Sequence, residues 1–282
     1  MSFFFLNVFL KIANLYQKIV KNYLTFLPHS PATKLGLNLF QKISADVMKL
    51  INEPDIKKVI NFYIENHEDI QDLQGIYKMM FLLQCIKETE HLEGDIIELG
   101  SYKGGNAIMI AKFLKQIGSK KKVYACDTFE GIPNDDEFVG NPKGQGMYSD
   151  SNFDFVLKQI KKYKVNDKIF LLKGLFSDTL NDLNYKKFSL VLIDCNIYDS
   201  AKFAINFVYP KLVNDGILIS YCYGIKKDSH SFWGEGIAVN EYLSSKPEKV
   251  IIDAIPFFQK GCKEPKLKNR QPMDKSSNYS EI

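Results

Sequence analysis

The stretch with the clearest chemical capacity is a glycine-rich turn that follows a short hydrophobic run. Residues 96–106 read I-I-E-L-G-S-Y-K-G-G-N. Glycines allow a backbone to turn tightly and to approach a ligand closely, and a helix that starts after them offers free amide groups. The spacing differs from the G-x-G-x-x-G of a dinucleotide fingerprint. The turn alone therefore indicates either a ligand held against the backbone or a tight connection.

One carboxylate strengthens the ligand interpretation. Asp127 follows the next hydrophobic run, residues 122–126. An acid at the end of a second strand is placed to accept hydrogen bonds from two neighbouring ribose hydroxyls, as in dinucleotide-binding folds. The turn and Asp127 together predict a nucleoside-type cofactor at the ends of two adjacent strands.

Four segments of the chain resemble the macrocin O-methyltransferase (TylF/MycF) family, whose members methylate sugar hydroxyls with S-adenosylmethionine. The segments are 94–100 with Gly104 and Gly105, 126–133, 173–180 and 193–200. They occur in the family's order over roughly residues 75–245. The D-x-F-E-G-x-P and K-G-x-F-x-D-T-L segments are specific, whereas the glycine turn is not.

The resemblance implies a site for S-adenosylmethionine. On its methionine and ribose side it implies Glu98, Gly100, Ser101, Gly104 and Gly105. Around the ribose and the adenine it implies Asp127, Thr128, Phe129, Gly174, Phe176 and Ser177. Phe129 and Phe176 could instead be core aromatics, and Asp178-Thr179 could cap a following helix.

The sequence departs from the family where a metal would bind. Members typically read D-x-D after the fourth strand and D-D-Y-G after the fifth, and these carboxylates hold a magnesium ion that helps to ionise the sugar hydroxyl. Here the motifs read Asp194-Cys195-Asn196 and Tyr221-Cys222-Tyr223-Gly224. Magnesium needs several hard oxygen ligands, so Asn196, Tyr221 and Cys222 make its use doubtful, and we expect no metal site.

Without a metal, a general base must do more of the proton transfer. Asp194 is the leading candidate, at the end of a strand where the cofactor's methyl group should point, and it would also contact the cofactor. His230 is a second candidate if residues 227–233 cover the site, although a solvated loop histidine is the favoured alternative. A zinc site of Asp194, Cys195, Cys222 and His230 is disfavoured, because adjacent side chains on a strand point to opposite faces.

The elements that must position these residues follow from the spacing of apolar runs. Short β-branched runs alternate with helical segments, which is typical of a parallel sheet with crossovers. The predicted strands are 95–99, 122–126, 169–172, 190–193, 217–220 and 249–252, with a further strand near 257–259 that would close a hairpin. The predicted helices between them are 105–117, 152–163, 200–212 and 235–243. We therefore expect an α/β fold with a Rossmann-like, doubly wound, mostly parallel seven-stranded sheet and an N-terminal helical extension.

The chain divides into four parts by pattern: an amphipathic helix over 1–30, a helical segment over 31–93, a cofactor-binding domain over 94–262 and a mobile polar tail over 263–282. In the first part, apolar residues recur at three- and four-residue steps opposite a row of lysines. Packing on its own domain or on a second copy is favoured for residues 1–27, and contact with a membrane surface is the alternative.

Composition excludes several classes of protein. The 282 residues carry 37 basic and 33 acidic side chains, and a net charge of +4 is too small to favour nucleic-acid binding. Five widely spaced cysteines without a C-x-x-C pair indicate reduced thiols in a cytoplasmic protein.

The interpretation is an S-adenosylmethionine-dependent O-methyltransferase that acts on a sugar hydroxyl of a glycan, glycolipid or natural product. Methylation of a nitrogen or a carboxylate, which needs no metal, is the alternative within enzymes. A scaffold protein that binds the cofactor without catalysis is the alternative from another class. A homo-oligomer is compatible with the sequence.

Overall fold

Seven strands form one mixed sheet with helices on both faces. The computed structural model describes residues 53–70, 75–134, 145–223, 234–252 and 256–262. The helices are α1 (Pro54–Ile70), α2 (Gly75–Thr89), α3 (Gly105–Gln116), α4 (Phe153–Lys162), α5 (Phe176–Thr179), α6 (Tyr198–Lys211) and α7 (Gly234–Leu243). The strands are β1 (Asp95–Leu99), β2 (Val123–Asp127), β3 (Ile169–Lys173), β4 (Phe188–Ile193), β5 (Leu212–Ser220), β6 (Ile251–Ile252) and β7 (Pro256–Gln259).

The strand order identifies β1 and β4 as the pair of neighbouring strands at the switch point of the sheet. The order is β3-β2-β1-β4-β5-β7-β6, with β1 to β5 parallel and β7 antiparallel to both β5 and β6. After β3 the chain crosses over to β4 on the other side of β1, so the order reverses between β1 and β4. In open α/β sheets a ligand binds outside the carboxyl ends of the strands at such a switch point. The predicted doubly wound, mostly parallel seven-stranded sheet is confirmed.

The central strands are predominantly apolar because both of their faces are covered. All six residues of β4 are buried. Leu190 and Leu192 pack into a core with α1 to α4, whereas Val191 and Ile193 pack into a second core with α6 and α7. The described part of the expected helical segment 31–93 thus forms two helices that cover one face of the sheet.

The structure differs from the sequence prediction at some boundaries. Strand β5 begins at Leu212, directly after α6, rather than at residue 217. Its early part is partly solvent-exposed and lacks the continuous apolar run from which strands were predicted. Helix α5 was not predicted, and Asp178 and Thr179 lie inside it. Thr179 also occupies the N-cap position of the 3-10 helix that follows, Leu180–Leu183, but its side chain makes no capping hydrogen bond to that helix. The Thr179 hydroxyl donates to the carbonyl of Leu175 at 2.9 Å.

Three predictions fall wholly outside the described residues. They concern the N-terminal helix 1–30, the segment that contains His230, and the tail 263–282. Residues 31–52 and 71–74 of the predicted helical segment 31–93 also lie outside the described residues. Within the described ranges, no helix is long and apolar enough to cross a bilayer. All five cysteines lie within the described residues, and no disulfide bond joins any of them.

Gly100 joins the two strands of the switch point. Its N–H donates to the carbonyl of Cys126 at 2.9 Å, and the N–H of Asp194 donates to the carbonyl of Leu99 at 2.8 Å. Gly100 has a φ of +99°, and a Cβ added there would lie 2.1 Å from the backbone oxygen of Asp194. The end of β1 can therefore approach the end of β4 this closely only because residue 100 has no side chain.

We expect Gly100→Ala to lower the free energy of unfolding by about 4 kcal/mol or more, because it combines backbone strain with an overlap against a fixed carbonyl. Urea unfolding at constant pH measures this loss. Gly118→Ala is the matched control, since Gly118 also has a positive φ, of +68°, but nothing lies within 4 Å of an added Cβ. The control should lose only about 1 to 2 kcal/mol. Equal losses in the two variants would contradict the close approach as the cause.

Candidate functional site

Three carboxylates stand at the carboxyl ends of neighbouring strands. Glu98 is in β1, Asp127 ends β2 and Asp194 follows β4 directly. The charges of Asp127 and Asp194 both raise the pKa of Glu98, which places the three groups in one electrostatic cluster. The structure thus brings together the glycine turn, Asp127, which was expected to bind the ribose, and Asp194, the expected base, at one edge of the sheet.

Glu98 is almost completely removed from solvent. Its relative exposure is 1%. Burial raises the pKa of Glu98 to about 8, and the neighbouring acids add to this effect. Glu98 Oε2 and Asn106 Oδ1 are buried and have no hydrogen-bond partner among the described residues. Buried polar atoms normally find partners, so these two atoms mark a place where a bound group is expected.

Asp127 is held in place by the turn that it faces. The N–H of Tyr102 donates to Asp127 Oδ2 at 2.8 Å, and the N–H of Phe129 donates to Asp127 Oδ1 at 2.7 Å. Burial raises the pKa of Asp127, and these two amides oppose that shift. The Thr128 hydroxyl, 3.4 Å from Asp127 Oδ1, and the backbone of Ser101 also contribute, so the turn fixes the orientation of this carboxylate.

The glycine turn is closed by its own backbone. Gly104, at a φ of +76°, caps α3 and donates its N–H to the carbonyl of Ser101 at 2.7 Å. A Cβ on Gly104 would lie 2.7 Å from Cγ1 of Val156 in α4. Gly105 begins α3, whose first-turn amides have no partner within the helix. The turn therefore presents a helix N-terminus at the same edge as Glu98.

A short segment, residues 145–151, contacts the glycine turn through Tyr148 and Asp150. The Tyr102 hydroxyl donates to both carboxylate oxygens of Asp150 at 2.8 Å, and Lys103 pairs with Asp150 at 2.7 Å. The rings of Tyr102 and Tyr148 meet edge to face with centroids 5.4 Å apart. Burial raises the pKa of Tyr148, and the charges of Cys222 and Asp194 add to the shift. Tyr148 therefore lies between the turn and the acid that follows β4.

The residues expected near the ribose and adenine are placed differently from one another. Phe129 is buried in the core against Phe153, with ring centroids 5.4 Å apart, so its backbone rather than its ring serves Asp127. The Thr128 hydroxyl donates to the carbonyl of Gly131 at 2.7 Å. Gly174 donates its N–H to the carbonyl of Asp127 at 3.0 Å, so the end of β3 also joins this edge.

Phe176 and Ser177 begin α5 beyond Gly174. Phe176 is partly buried and packs against the core that contains α6 and α7, as its core alternative suggested. Ser177 is exposed, and its hydroxyl donates to Asp178 at 2.9 Å. Of these two residues, only Ser177 is exposed to solvent.

Asp194, Asn196 and Cys222 converge at the other side of the edge. The Cys222 thiol lies 3.0 Å from Asp194 Oδ1 and 2.6 Å from Asn196 Oδ1. Cys195 instead packs into the core with α6 and α7. Tyr221 is buried in the opposite core, where the ammonium of Lys78 lies 5.5 Å from its ring centroid. Of the three substituted positions, Asn196 and Cys222 face the expected base and Tyr221 does not.

Glu235 is the residue of this region that sequence reasoning missed. It lies in the first turn of α7 and has a relative exposure of 0%. Its Oε2 accepts the N–H groups of Cys195 at 3.0 Å and Asn196 at 3.3 Å. Its Oε1 accepts the Ser220 hydroxyl at 2.6 Å and the Cys222 N–H at 3.1 Å. Burial raises the pKa of Glu235 to about 8, with a further contribution from Asp194. The available signal was an acid flanked by Gly234 and Gly236 at the start of a helix.

The cluster around Asp194 has a poor donor set for a hard cation. It supplies one carboxylate, one amide oxygen and one thiol, and burial raises the pKa of the Cys222 thiol well above its ordinary value. A protonated thiol is a weak partner for magnesium. In the part of the chain that the structure describes, no group of three or more His, Cys, Asp or Glu side chains could hold a metal ion. His230 lies outside the described residues.

Known proteins are similar to this chain in sequence. The model of the macrocin-O-methyltransferase (TylF) family matches residues 71–243. Demethyldecarbamoylnovobiocin O-methyltransferase of Streptomyces niveus is 25% identical over 155 residues, which cover 51% of this chain and 59% of that protein. The 8-demethyl-8-(2,3-dimethoxy-alpha-L-rhamnosyl)-tetracenomycin-C 4'-O-methyltransferase of Streptomyces olivaceus is 24% identical over 161 residues, 54% of this chain and 62% of that protein. The chain thus matches about three-fifths of the length of these curated relatives.

Solved structures show the same fold. CalS11, a calicheamicin methyltransferase, has a TM-score of 0.61 at 15% identity, over 83% of this chain and 95% of that one. The O-methyltransferase NovP has a TM-score of 0.55 at 23% identity, over 66% of this chain and 80% of that one. At these identities the likeness concerns the fold alone.

The raised pKa values of Glu98 and Glu235 predict a pH-dependent stability. Each pKa is about 8 in the folded, ligand-free protein, against an ordinary value of 4.5. Between these values the folded protein binds more protons than the unfolded chain. The free energy of unfolding should therefore fall as pH rises from about 4.5 to about 8, by up to about 1.4 kcal/mol per pH unit for each carboxyl.

Urea unfolding of the cofactor-free protein across this pH range tests the effect. Glu98→Gln is neutral at every pH, so its unfolding free energy should fall less steeply than that of the wild type. Glu93→Gln is the control, because Glu93 forms only an exposed ion pair with Lys187. If Glu98→Gln and the wild type have the same slope, Glu98 does not carry the raised pKa.

Proposed function

The chain belongs to the macrocin O-methyltransferase family, and from that premise we propose that it transfers the methyl group of S-adenosylmethionine to a sugar hydroxyl of a glycan, glycolipid or natural product. The observation that carries the proposal is the junction of β1 and β4. There the backbone of Gly100 in the cofactor turn packs against the backbone of Asp194, the candidate base. A methyl donor and a proton acceptor on these two elements would share one edge of the sheet.

The residues of the turn fit S-adenosylmethionine. Glu98 Oε2 and Asn106 Oδ1 are buried without a partner among the described residues, as a site for a polar ligand requires. Glu98, Asp127 and Asp194 form an acidic cluster, which favours a ligand that carries positive charge. S-adenosylmethionine is such a ligand, because its sulfonium and its ammonium are both cationic.

We propose that each cofactor residue has a distinct part. Glu98, Gly100, Ser101, Gly104 and Gly105 would line the methionine side. Asp127 would accept the ribose hydroxyls with Thr128 and Phe129 beside it, and Gly174, Phe176 and Ser177 would border the adenine. When bound, the cofactor supplies an electrophilic methyl group. The turn then acts by holding that group in line with the acceptor oxygen, and positioning of this kind supplies much of the catalysis in group transfer.

Asp194 would accept the proton of the acceptor hydroxyl as the new bond to oxygen forms. The donors around Asp194 do not fit magnesium, because Asn196 and the protonated thiol of Cys222 replace carboxylates. We therefore propose that the acceptor site works without a metal ion. Asp194 would orient the hydroxyl and take its proton, and the partly enclosed site would exclude competing water.

The proposal predicts separate effects on binding and turnover. The wild type should bind S-adenosylmethionine in isothermal titration calorimetry. Asp127→Asn should weaken that binding by about ten-fold or more, because charge-assisted hydrogen bonds to the ribose are lost. Asp194→Asn should retain binding but lower kcat by about 10² to 10⁴, the range for loss of a general base. Turnover is measured by mass spectrometry of methylated products from the host's glycan extracts.

Several outcomes would contradict parts of this function. No binding of S-adenosylmethionine by the wild type would overturn the methyltransferase assignment. Binding without turnover, with or without magnesium, would favour a scaffold protein. Turnover that is lost on treatment with EDTA and restored by magnesium would overturn the metal-independent site.

We further propose that the protein is cytoplasmic and that residues 1–27 pack against its own domain or a second copy, with contact to a membrane surface as the alternative. The spacing of apolar residues opposite lysines supports an amphipathic helix. A homo-oligomer would follow if the apolar face covers a second copy.

Liposome flotation tests the N-terminal segment. If residues 1–27 pack on protein, the full chain and a variant lacking them should both remain with the soluble fraction on vesicles of anionic phospholipid. Flotation of the full chain alone would instead establish membrane contact. Size-exclusion chromatography with light scattering on the same two samples reports whether the segment joins two copies.

A further inference from the structure

Glu235 is a buried carboxylate that accepts hydrogen bonds from two different loops, those that follow β4 and β5. Oε2 binds the backbone after β4 through the N–H groups of Cys195 and Asn196. Oε1 binds the end of β5 through the Ser220 hydroxyl and the Cys222 N–H. Three of the four donors are backbone amides, so the carboxylate fixes the course of both loops rather than one side chain.

Both backbone groups of Asn196, its N–H and its carbonyl, are hydrogen-bonded to Glu235. Its N–H donates to Glu235 Oε2 at 3.3 Å, and its carbonyl accepts the N–H of Glu235 at 3.0 Å. Asn196 has a φ of +65°, a left-handed conformation that asparagine adopts more readily than most residues other than glycine. The two contacts with Glu235 fix this conformation, in which the Asn196 side chain lies against Cys222.

The result is a closed cluster beside the candidate base. With both loops anchored, the Cys222 thiol reaches Asp194 Oδ1 at 3.0 Å and Asn196 Oδ1 at 2.6 Å. A bound cation could join two such loops by taking ligands from each. Here the joining group is the carboxyl group of Glu235, and its partners are backbone amides and a hydroxyl.

We propose that Glu235 is the positioning residue of the acceptor site, where it holds Asn196 and Cys222 against Asp194 by cross-linking the loops after β4 and β5. This inference rests on the proposed function, because it assumes that Asp194 serves the acceptor. Glu235 is not a catalytic residue in this scheme, since its carboxylate is fully buried and acts through its neighbours.

A second buried glutamate provides a matched control. Glu248 has a relative exposure of 4% and accepts the Tyr209 hydroxyl at 2.9 Å and the Gly261 N–H at 2.8 Å. It therefore also binds a hydroxyl and a backbone amide, but its partners lie away from the ends of β1, β2 and β4. Glu248→Gln reports what the loss of a buried, hydrogen-bonded carboxylate does to this fold in general.

The first readout is the reactivity of Cys222, which needs no acceptor. The full chain is treated with iodoacetamide at a pH above the value of about 8 at which Glu235 ionises, and peptide mass spectrometry gives the rates at Cys222 and, as an internal reference, at Cys262. In Glu235→Gln we expect Cys222 to react about ten-fold faster or more, since one pKa unit of a thiol changes its thiolate fraction ten-fold and a freed loop adds access. Glu248→Gln should leave the Cys222 rate at the wild-type value.

Glu235→Asp separates anchoring from charge. It keeps the negative charge beside Cys222, but its shorter side chain cannot reach both loops. We expect Cys222 to react faster than in the wild type and more slowly than in Glu235→Gln. A wild-type rate in Glu235→Asp together with a fast rate in Glu235→Gln would mean that Glu235 acts on the thiol by charge alone, and would overturn the positioning role.

The second readout is the split between binding and turnover. Affinity for S-adenosylmethionine should be unchanged in Glu235→Gln, because the cofactor turn makes no hydrogen bond to Glu235. We expect kcat on the host glycan extract to fall about a hundred-fold, the scale that an ångström of misplacement can cost. Glu248→Gln should keep the kcat of the wild type even if it unfolds at a lower temperature.

The proposal remains testable if Glu235→Gln does not fold. Ser220→Ala removes one of the four donors, and it should raise the Cys222 rate by a smaller factor and lower kcat in the same direction. Unchanged Cys222 reactivity and kcat in every folded variant would overturn the inference. Failure of the wild type to bind S-adenosylmethionine would instead overturn the proposed function, and the alkylation rates would still report whether Glu235 anchors the loops.

Discussion

The site depends on one close approach of two backbones. The ends of β1 and β4 meet where Gly100 lies against the carbonyl of Asp194, and any side chain at residue 100 would force them apart. The hydrogen bonds from Gly100 to Cys126 and from Asp194 to Leu99 then fix β2, β1 and β4 in one register. Since these three strand ends carry Asp127, Glu98 and Asp194, the geometry of every proposed contact follows from this junction.

The same approach concentrates carboxyl groups in a place that water reaches poorly. Glu98 and Glu235 are buried, and each has a pKa raised to about 8, to which the charge of Asp194 contributes. Burying an anion without a cationic partner costs stability, so an arrangement of this kind persists only where it serves another purpose. A cationic ligand on the Glu98 side and hydrogen-bond donors on the Glu235 side would each offset part of that cost.

The sequence predicted the elements that repeat a pattern and missed those that depend on a single contact. Apolar runs with intervening helical segments placed the five parallel strands, because strands covered on both faces are predominantly apolar. The glycine turn and Asp127 could be found because their chemistry is local to strand ends. Glu235 could not, since its role comes from donors 13 to 40 residues away, and a glutamate in the first turn of a helix is otherwise ordinary. The starts of β5 and α5 were missed because partly exposed or very short elements carry little apolar pattern.

The neutral side chains at positions 196 and 222 are consistent with the charges around them. Asp194 already lies beside the buried carboxylate of Glu235, and its charge raises the pKa of Glu235. A carboxylate at position 222 would place a further like charge about 3 Å from Asp194, and one at position 196 would lie equally close to position 222, a repulsion that only a bound cation could offset. An amide and a protonated thiol fill the same space without that repulsion. The backbones that carry these two side chains are joined through Glu235, which accepts four hydrogen bonds from the loops after β4 and β5.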